Sequence, residues 1–268
     1  MRRLIIRPGG IGDCILSLPA IEHLRSDYTE VWVPSAVVPL IRFAEARSIA
    51  STGIDLLGLP GVDPPADLTA RLRQFDTIVS WYGSNREEFR GHVIELGLPF
   101  QFLAALPDPG AKMHAADFFL KQVGGDGFAV PRIPCQRGGL GDFAVIHPFS
   151  GSARKNWPLS RFRELASRLA LPVRWCAGPE ETLPPELMDD AVRFENLYEL
   201  ACWLASARVY IGNDSGITHL AAAVGIPVVA IFGATDPSVW APRGERVRVV
   251  SGIAVDEVLE AVRQVTAK

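Results

Sequence analysis

Cysteine is scarce in this sequence. The four thiols, Cys14, Cys135, Cys176 and Cys202, form no CxxC pair, and none sits in a His-rich tract. This spacing argues against structural zinc and a redox dithiol, and a few scattered thiols suit a reducing cytoplasm. A basic surplus is missing too. The 27 Lys and Arg against 30 Asp and Glu leave a formal net charge of −3. That excludes nonspecific nucleic-acid binding but leaves room for a small basic pocket around one phosphate group. The opening MRRLIIRPGG does not read as a signal peptide, because only Leu4 to Ile6 is apolar before a charge and a Pro-Gly-Gly. No basic amphipathic helix is evident, so any membrane-surface contact is expected to be weak. One segment, Gly216 to Thr235, lacks charge over the length of a membrane span. Its centre, Gly225-Ile226-Pro227, reads as a helix stop followed by a strand start, so two buried elements joined by a turn are expected instead.

What is present is an ample apolar fraction, 48%, in 268 residues, enough for one large or two compact domains. The 24 glycines and 21 prolines exceed the roughly 12% that is average and predict many tight turns between short elements. Strands are expected at Arg3–Arg7, Glu30–Val33, Asp76–Trp81, Phe143–His147, Pro172–Ala177, Val209–Ile211, Pro227–Phe232 and Arg246–Val250. Helical spacing is expected from Asp13, over Pro39–Arg47, Arg86–Leu96, Met113–Val123, Leu159–Leu169, Leu197–Ala205, Ser215–Val224 and Val255–Val265. The Gly- and Pro-rich stretch Gly124–Asp142 reads as a linker. Strands alternating with helices on either side of it predict two Rossmann-like parallel-sheet domains, residues 1–138 and 139–268, facing each other across a cleft. In such sheets ligands bind beyond the carboxyl ends of the strands, so the loops after strands carry the chemistry.

Four of these loops stand out. Pro8-Gly9-Gly10-Ile11-Gly12-Asp13 fails the dinucleotide fingerprint, since its third glycine falls at Ile15 and Pro34-Ser35 replaces the acidic residue after the second strand. It also lacks the Gly-Lys-Ser/Thr of a phosphate loop. Asp13 then reads either as a helix N-cap or as a cleft-facing general base. The loop from His147 to Pro158 gathers Ser150, Gly151, Ser152, Arg154 and Lys155, the hydroxyls, backbone and cations that a phosphate needs, or else a solvated surface loop. In Gly212-Asn213-Asp214-Ser215-Gly216-Ile217-Thr218-His219 a helix N-terminus follows a strand and favours an anion. Asp214 and His219 read there as ligand contacts, or as a cap and a core histidine. Phe232-Gly233-Ala234-Thr235-Asp236-Pro237 is a turn that either contacts the ligand or is structural. Three of the loops share the second sheet, and Asp13 approaches from the first. That is the layout of a group transferase using a nucleotide-sugar.

In this order the loops resemble the ADP-heptose–lipopolysaccharide heptosyltransferases, glycosyltransferase family 9. The resemblance rests on Arg7-Pro8-Gly9-Gly10-Ile11-Gly12-Asp13 with Leu18-Pro19-Ala20, on Lys155-Asn156-Trp157-Pro158, on Gly212 to Ala221, and on Phe232 to Pro237. It implies the GT-B fold and an inverting, metal-independent transfer from an ADP-heptose-type donor to a lipopolysaccharide core or another bacterial glycan. By this likeness Asp13 is the general base. Ser150, Gly151, Ser215 and Gly216 contact the donor phosphates, and Lys155 neutralises them. Asp214 binds the sugar, His219 lines the same pocket, Glu180 or Glu181 holds the ribose, and the backbone of Glu195-Asn196-Leu197 meets the adenine. No cofactor and no metal is implied, the nucleotide-sugar being a substrate. The implied place of action is the cytoplasm, with peripheral contact to the inner membrane and a glycan or lipid-linked acceptor as partner; nucleic acid is not expected. The half before the linker is short for the family. That motivates the alternative of a nucleotide-sugar-binding protein with little or no transferase activity, and more distantly an epimerase or hydrolase on the same scaffold.

Overall fold

The computed structural model describes residues 1–267 apart from 109, 111, 136–138, 140, 179–180, 189–190 and 252–253. The chain forms β1 (Arg2–Ile6), α1 (Ile11–His23), β2 (Tyr28–Val33), β3 (Glu45–Ser48), α2 (Ala66–Leu72), β4 (Thr77–Ser80), α3 (Glu87–Glu95), β5 (Phe100–Phe102) and α4 (Ala115–Gln122). It continues with β6 (Ala144–His147), α5 (Leu159–Arg168), β7 (Val173–Cys176), α6 (Pro185–Met188), β8 (Ala191–Val192), α7 (Leu197–Leu204) and β9 (Val209–Asn213). The last elements are α8 (Gly216–Ala223), β10 (Val228–Ile231), α9 (Pro237–Trp240), β11 (Val247–Val250) and α10 (Val255–Thr266).

Two separate sheets result, ordered β3-β2-β1-β4-β5 and β11-β10-β9-β6-β7-β8. Every strand pairing in both is parallel. In each sheet the order reverses beside the first strand, between β1 and β4 and between β6 and β9, and the crevice for a ligand lies at such reversals. The central strands are apolar on both faces because helices cover both: Leu4, Ile5 and Ile6 in β1 and Ala144, Val145 and Ile146 in β6 are fully buried. The described part of the 124–142 stretch contains no helix or strand, as its composition predicts. The boundary expected at 138/139 touches residues outside those described.

The charge-free run from Gly216 resolves as expected into helix α8, a turn at Gly225 and strand β10. No helix of the described residues is long and apolar enough to cross a membrane. The helix expected over Pro39–Arg47 does not form. Ser35–Leu40 winds as a 3-10 helix and Glu45–Ser48 becomes edge strand β3. Pro39 lacks the N–H that an α-helix would use. The free edge of β2 then captures residues 45–48, where Arg47 meets the buried Glu30 of β2 at 3.1 Å and Tyr28 donates to Glu45 at 2.7 Å. Glu30 also accepts from Arg71 of α2 and from the Trp32 indole, both at 2.7 Å, so one buried carboxylate gathers three elements.

The halves are joined by more than the linker. A single apolar cluster runs from Ile15, Leu18 and Phe119 through to Leu200, Leu220 and Phe232. Polar contacts fix its rim. His114 accepts from the Ala116 N–H through Nδ1, which leaves the proton on Nε2 to donate to the Ala241 carbonyl at 2.8 Å. Asp117 of α4 receives Arg243 through both carboxylate oxygens, at 2.5 and 2.6 Å, and the same guanidinium donates to the Ala129 carbonyl. Arg243→Leu leaves Asp117 without its cation and should cost roughly 3 kcal/mol in urea denaturation. Burial raises the Asp117 pKa, but the Arg243 hydrogen bonds and charge outweigh it and leave the group below the usual range. Its contribution to stability is therefore complete above about pH 4, the unfolded value, and lost as the pH falls below it. The stability of Asp117→Asn should show a shallower decline with acid over that range.

Candidate functional site

Helices α1 and α8, one from each half, begin where their preceding strands end, and their N-termini meet. A Cβ on Gly216 would lie 2.7 Å from the Cβ of Ile11 and 3.1 Å from the backbone nitrogen of Gly12. One on Gly12 would lie 3.0 Å from Cδ2 of His219. Only glycine permits this approach. The positive ends of two helix dipoles consequently border one cavity of about 730 Å³ between the halves.

Asp13 lies in the first turn of α1, three residues after the capping residue Gly10, and its Oδ2 accepts from the Gly10 N–H at 2.9 Å. The helix thus starts two residues earlier than the sequence predicts, and the carboxylate closes its first turn while also lining the cavity. Beneath it Arg7 is buried without a carboxylate partner among the described residues. Its guanidinium lies 4.4 Å from the Phe119 ring centre and 5.6 Å from that of Trp81. It donates to the Ser17 hydroxyl and to the carbonyls of Ala105 and Asp13. A cation held by π faces and carbonyls fixes the turn that carries Asp13.

The opposite wall comes from the second sheet. Lys155 Nζ is 2.7 Å from Asp214 Oδ2, which also accepts from the Thr235 hydroxyl at 2.6 Å. Ser215 caps α8 by accepting from the Thr218 N–H. Ser150 Oγ lies 2.7 Å from both the Ser152 carbonyl and Asn156 Oδ1, so its single proton is committed within its own loop. Gly151 lines the cavity with nothing within 4 Å of where a side chain would begin. Asn213, given no role by sequence reasoning, ties two loops together: its Oδ1 accepts from Trp157 N–H at 2.9 Å and its Nδ2 donates to the Pro148 carbonyl at 2.8 Å. The strand-end position just before Asp214 was the available signal.

Glu181 reaches the cavity from the loop after β7. Its Oε2 accepts from the Gly178 N–H at 2.6 Å and lies 3.0 Å from Nε2 of the buried His147. Burial pushes the Glu181 pKa up, but His147, Gly178 and Arg193 together hold it below the usual range. Glu180 lies outside the described residues. Asn196 and Leu197 are not among the residues lining this cavity: Asn196 caps α7 through the Tyr198 and Glu199 N–H groups, and Leu197 is in the core. Leu106 and Trp240 add apolar lining that sequence reasoning missed. Among the described residues no group of three or more His, Cys, Asp or Glu side chains is placed to hold a metal.

The model of glycosyltransferase family 9 (heptosyltransferase) matches residues 131–267, half of the chain. The chain belongs to this family. Lipopolysaccharide heptosyltransferase 1 of Salmonella typhimurium is 30% identical over 113 residues, 38% of this chain and 36% of that protein. Lipooligosaccharide heptosyltransferase 2 of Haemophilus influenzae is 30% identical over 111 residues, 36% of this chain and 32% of that protein. The chain thus spans about a third of the length of the curated relatives it matches. Among solved structures, E. coli ADP-heptose lps heptosyltransferase II superposes with a TM-score of 0.74 at 16% identity, covering 99% of this chain and 98% of that one. E. coli heptosyltransferase WaaC with ADP gives 0.64 at 17% identity, covering 99% and 100%. These superpositions establish the GT-B architecture of two parallel-sheet domains.

Two outcomes test the geometry. Gly216→Ala drives a methyl group into Ile11 and should destabilise by about 1–3 kcal/mol, whereas Gly151→Ala, facing open space, should be neutral by the same denaturation measurement. Burial pushes the His219 pKa down to about 4, so the imidazole is neutral at pH 7. Stability should be full above the unfolded value of about 6.5 and fall as the pH drops from there towards 4, because the unfolded chain binds the proton first. His219→Gln should flatten that decline, leaving the smaller part due to His114, whose pKa burial also lowers.

Proposed function

We propose that this protein transfers a heptose or related sugar from an ADP-linked donor to a hydroxyl of a lipopolysaccharide core or another bacterial glycan, with inversion and without a metal. The observation that carries the reading is the opposition of charges within one cavity. Asp13 stands on the wall from the first half, while Lys155 and the N-terminus of α8 stand on the wall from the second. The diphosphate of the donor takes the Ser215–Gly216 end of α8 and the Lys155 ammonium, in place of part of the Lys155–Asp214 pairing. Backbone N–H groups around Gly151 serve it better than the Ser150 hydroxyl, which is already engaged. Glu181 accepts from ribose hydroxyls. Asp214, held by Thr235, is left to accept from the sugar.

Asp13 Oδ2 is occupied by Gly10, which leaves Oδ1 for the acceptor. Oδ1 takes the proton of the acceptor hydroxyl as its oxygen attacks the anomeric carbon on the face opposite the leaving group. The bond from that carbon to the diphosphate oxygen breaks, and ADP departs with the electron pair. The developing negative charge falls on Lys155 and the α8 dipole, which would do the work a divalent ion does elsewhere. Support for the donor class comes from the E. coli heptosyltransferase structures with ADP and with ADP-2-deoxy-2-fluoro heptose. The reading places the protein in the cytoplasm, with peripheral contact to the inner membrane through a lipid-linked acceptor.

The test is a product assay beside calorimetry. Asp13→Asn should lower transfer from ADP-heptose at least about 10²-fold while ADP affinity stays within about twofold, since only the base is removed. Lys155→Ala should weaken ADP about tenfold or more, about 1.4 kcal/mol. Wild-type turnover in Asp13→Asn would remove that residue from the chemistry. Tight ADP binding with no transfer to any acceptor would replace the enzyme by a binding protein.

A further inference from the structure

The two halves enclose a second cavity, of about 600 Å³, that shares no lining residue with the first. Both are bordered by α1. Ile11, Gly12, Asp13 and Leu16 line the first, and Leu18 and Glu22 of its second half, with Arg25 just beyond its end, line the second. At 1.5 Å per residue the centres of the two sites lie roughly 10–14 Å apart along the helix axis. Three exposed guanidinium groups surround the second cavity: Arg25 and Arg42 from the first half and Arg132 from the linker. Among the described residues none of the three has a carboxylate within 4 Å. Glu22 is the one acidic group in the lining, and burial disfavours its charged form, with Arg25 pulling the other way.

Arg42 is already placed for a ligand. Its guanidinium carbon lies 4.1 Å from the ring centre of Tyr198 across the interface, and the Tyr198 hydroxyl donates to the Pro134 carbonyl at 3.3 Å. Stacking occupies a face of the guanidinium and leaves its N–H edge free, in a planar fork that matches phosphate oxygens. Arg25 sits over Phe43 at 5.7 Å. Leu40, Phe43 and Ile133 supply an apolar surface for the body of a ligand. Three cations in one crevice of a chain whose net charge is −3 repel one another unless an anion joins them.

We propose that this crevice is a second anion site, which binds a phosphate monoester carried on a compact, partly apolar body between Arg25, Arg42 and Arg132. A soluble sugar phosphate and a phosphate-bearing lipid headgroup share this chemistry.

The experiment uses the full chain with ADP at saturation, so that the first cavity is filled. Glucose-6-phosphate is titrated by calorimetry, and vesicles of phosphatidylcholine with and without phosphatidic acid are tested by co-sedimentation. The wild type should bind at least one phosphate probe. The triple variant Arg25→Ala/Arg42→Ala/Arg132→Ala should bind it at least about tenfold more weakly, with the thermal shift by ADP unchanged. Heat with glucose-6-phosphate alone assigns a soluble ligand; co-sedimentation with the phosphatidic acid vesicles alone assigns a headgroup. Failure of the wild type to bind either probe overturns the proposal, as does binding that the triple variant retains.

Discussion

The close approach of α1 and α8 is the constraint on which the rest depends. Two helix N-termini carry partial positive charge and repel each other at short range, so their contact must be imposed by packing. Here Gly12 and Gly216 remove the side chains that would hold the helices apart, and the apolar cluster shared by both halves presses them together. With larger residues at those points the halves would still fold as separate sheets. The carboxylate on one helix would no longer face the N-terminus of the other.

The supporting contacts each hold one component of that arrangement. Arg7 braces the first turn of α1 from below, and Asn213 fastens the Pro148–Trp157 segment to the loop before α8. Asp117 with Arg243, and His114 with the Ala241 carbonyl, fasten the rim. The buried thiols play no such part: burial pushes Cys14 and Cys176 up to about 12, so both remain protonated, inert packing groups.

Much of this was legible in the sequence because it is local. Strands buried on both faces are continuous apolar runs, and Pro8-Gly9-Gly10 or Gly225-Ile226-Pro227 mark where elements stop. Loops after strands then collect Asp13, Lys155, Asp214 and His219 without knowledge of the packing, and the structure brings all four to one cavity. What was not legible depends on partners distant in sequence. Residues 45–47 have helical propensity, yet β2 offers them an open edge and Glu30 offers Arg47 a buried carboxylate, so tertiary pairing prevails. Helix α2 has too few turns to announce itself. That the Asn196 side chain caps α7 follows from its place just before an apolar helical stretch, where an Asn favours the cap. The engagement of the Ser150 proton by its own loop is invisible in one dimension.

The pairing of Lys155 with Asp214 has a consequence for selectivity. An ammonium that already holds a carboxylate in a part-buried setting does not attract every passing anion, since a newcomer must outcompete a partner tethered to the same wall. Chloride or a lone carboxylate brings one charge to that contest. A pyrophosphoryl group brings several, along with oxygens that the helix end can address at the same time. Under the proposed function the internal ion pair would therefore act as a threshold that weak anions do not pass.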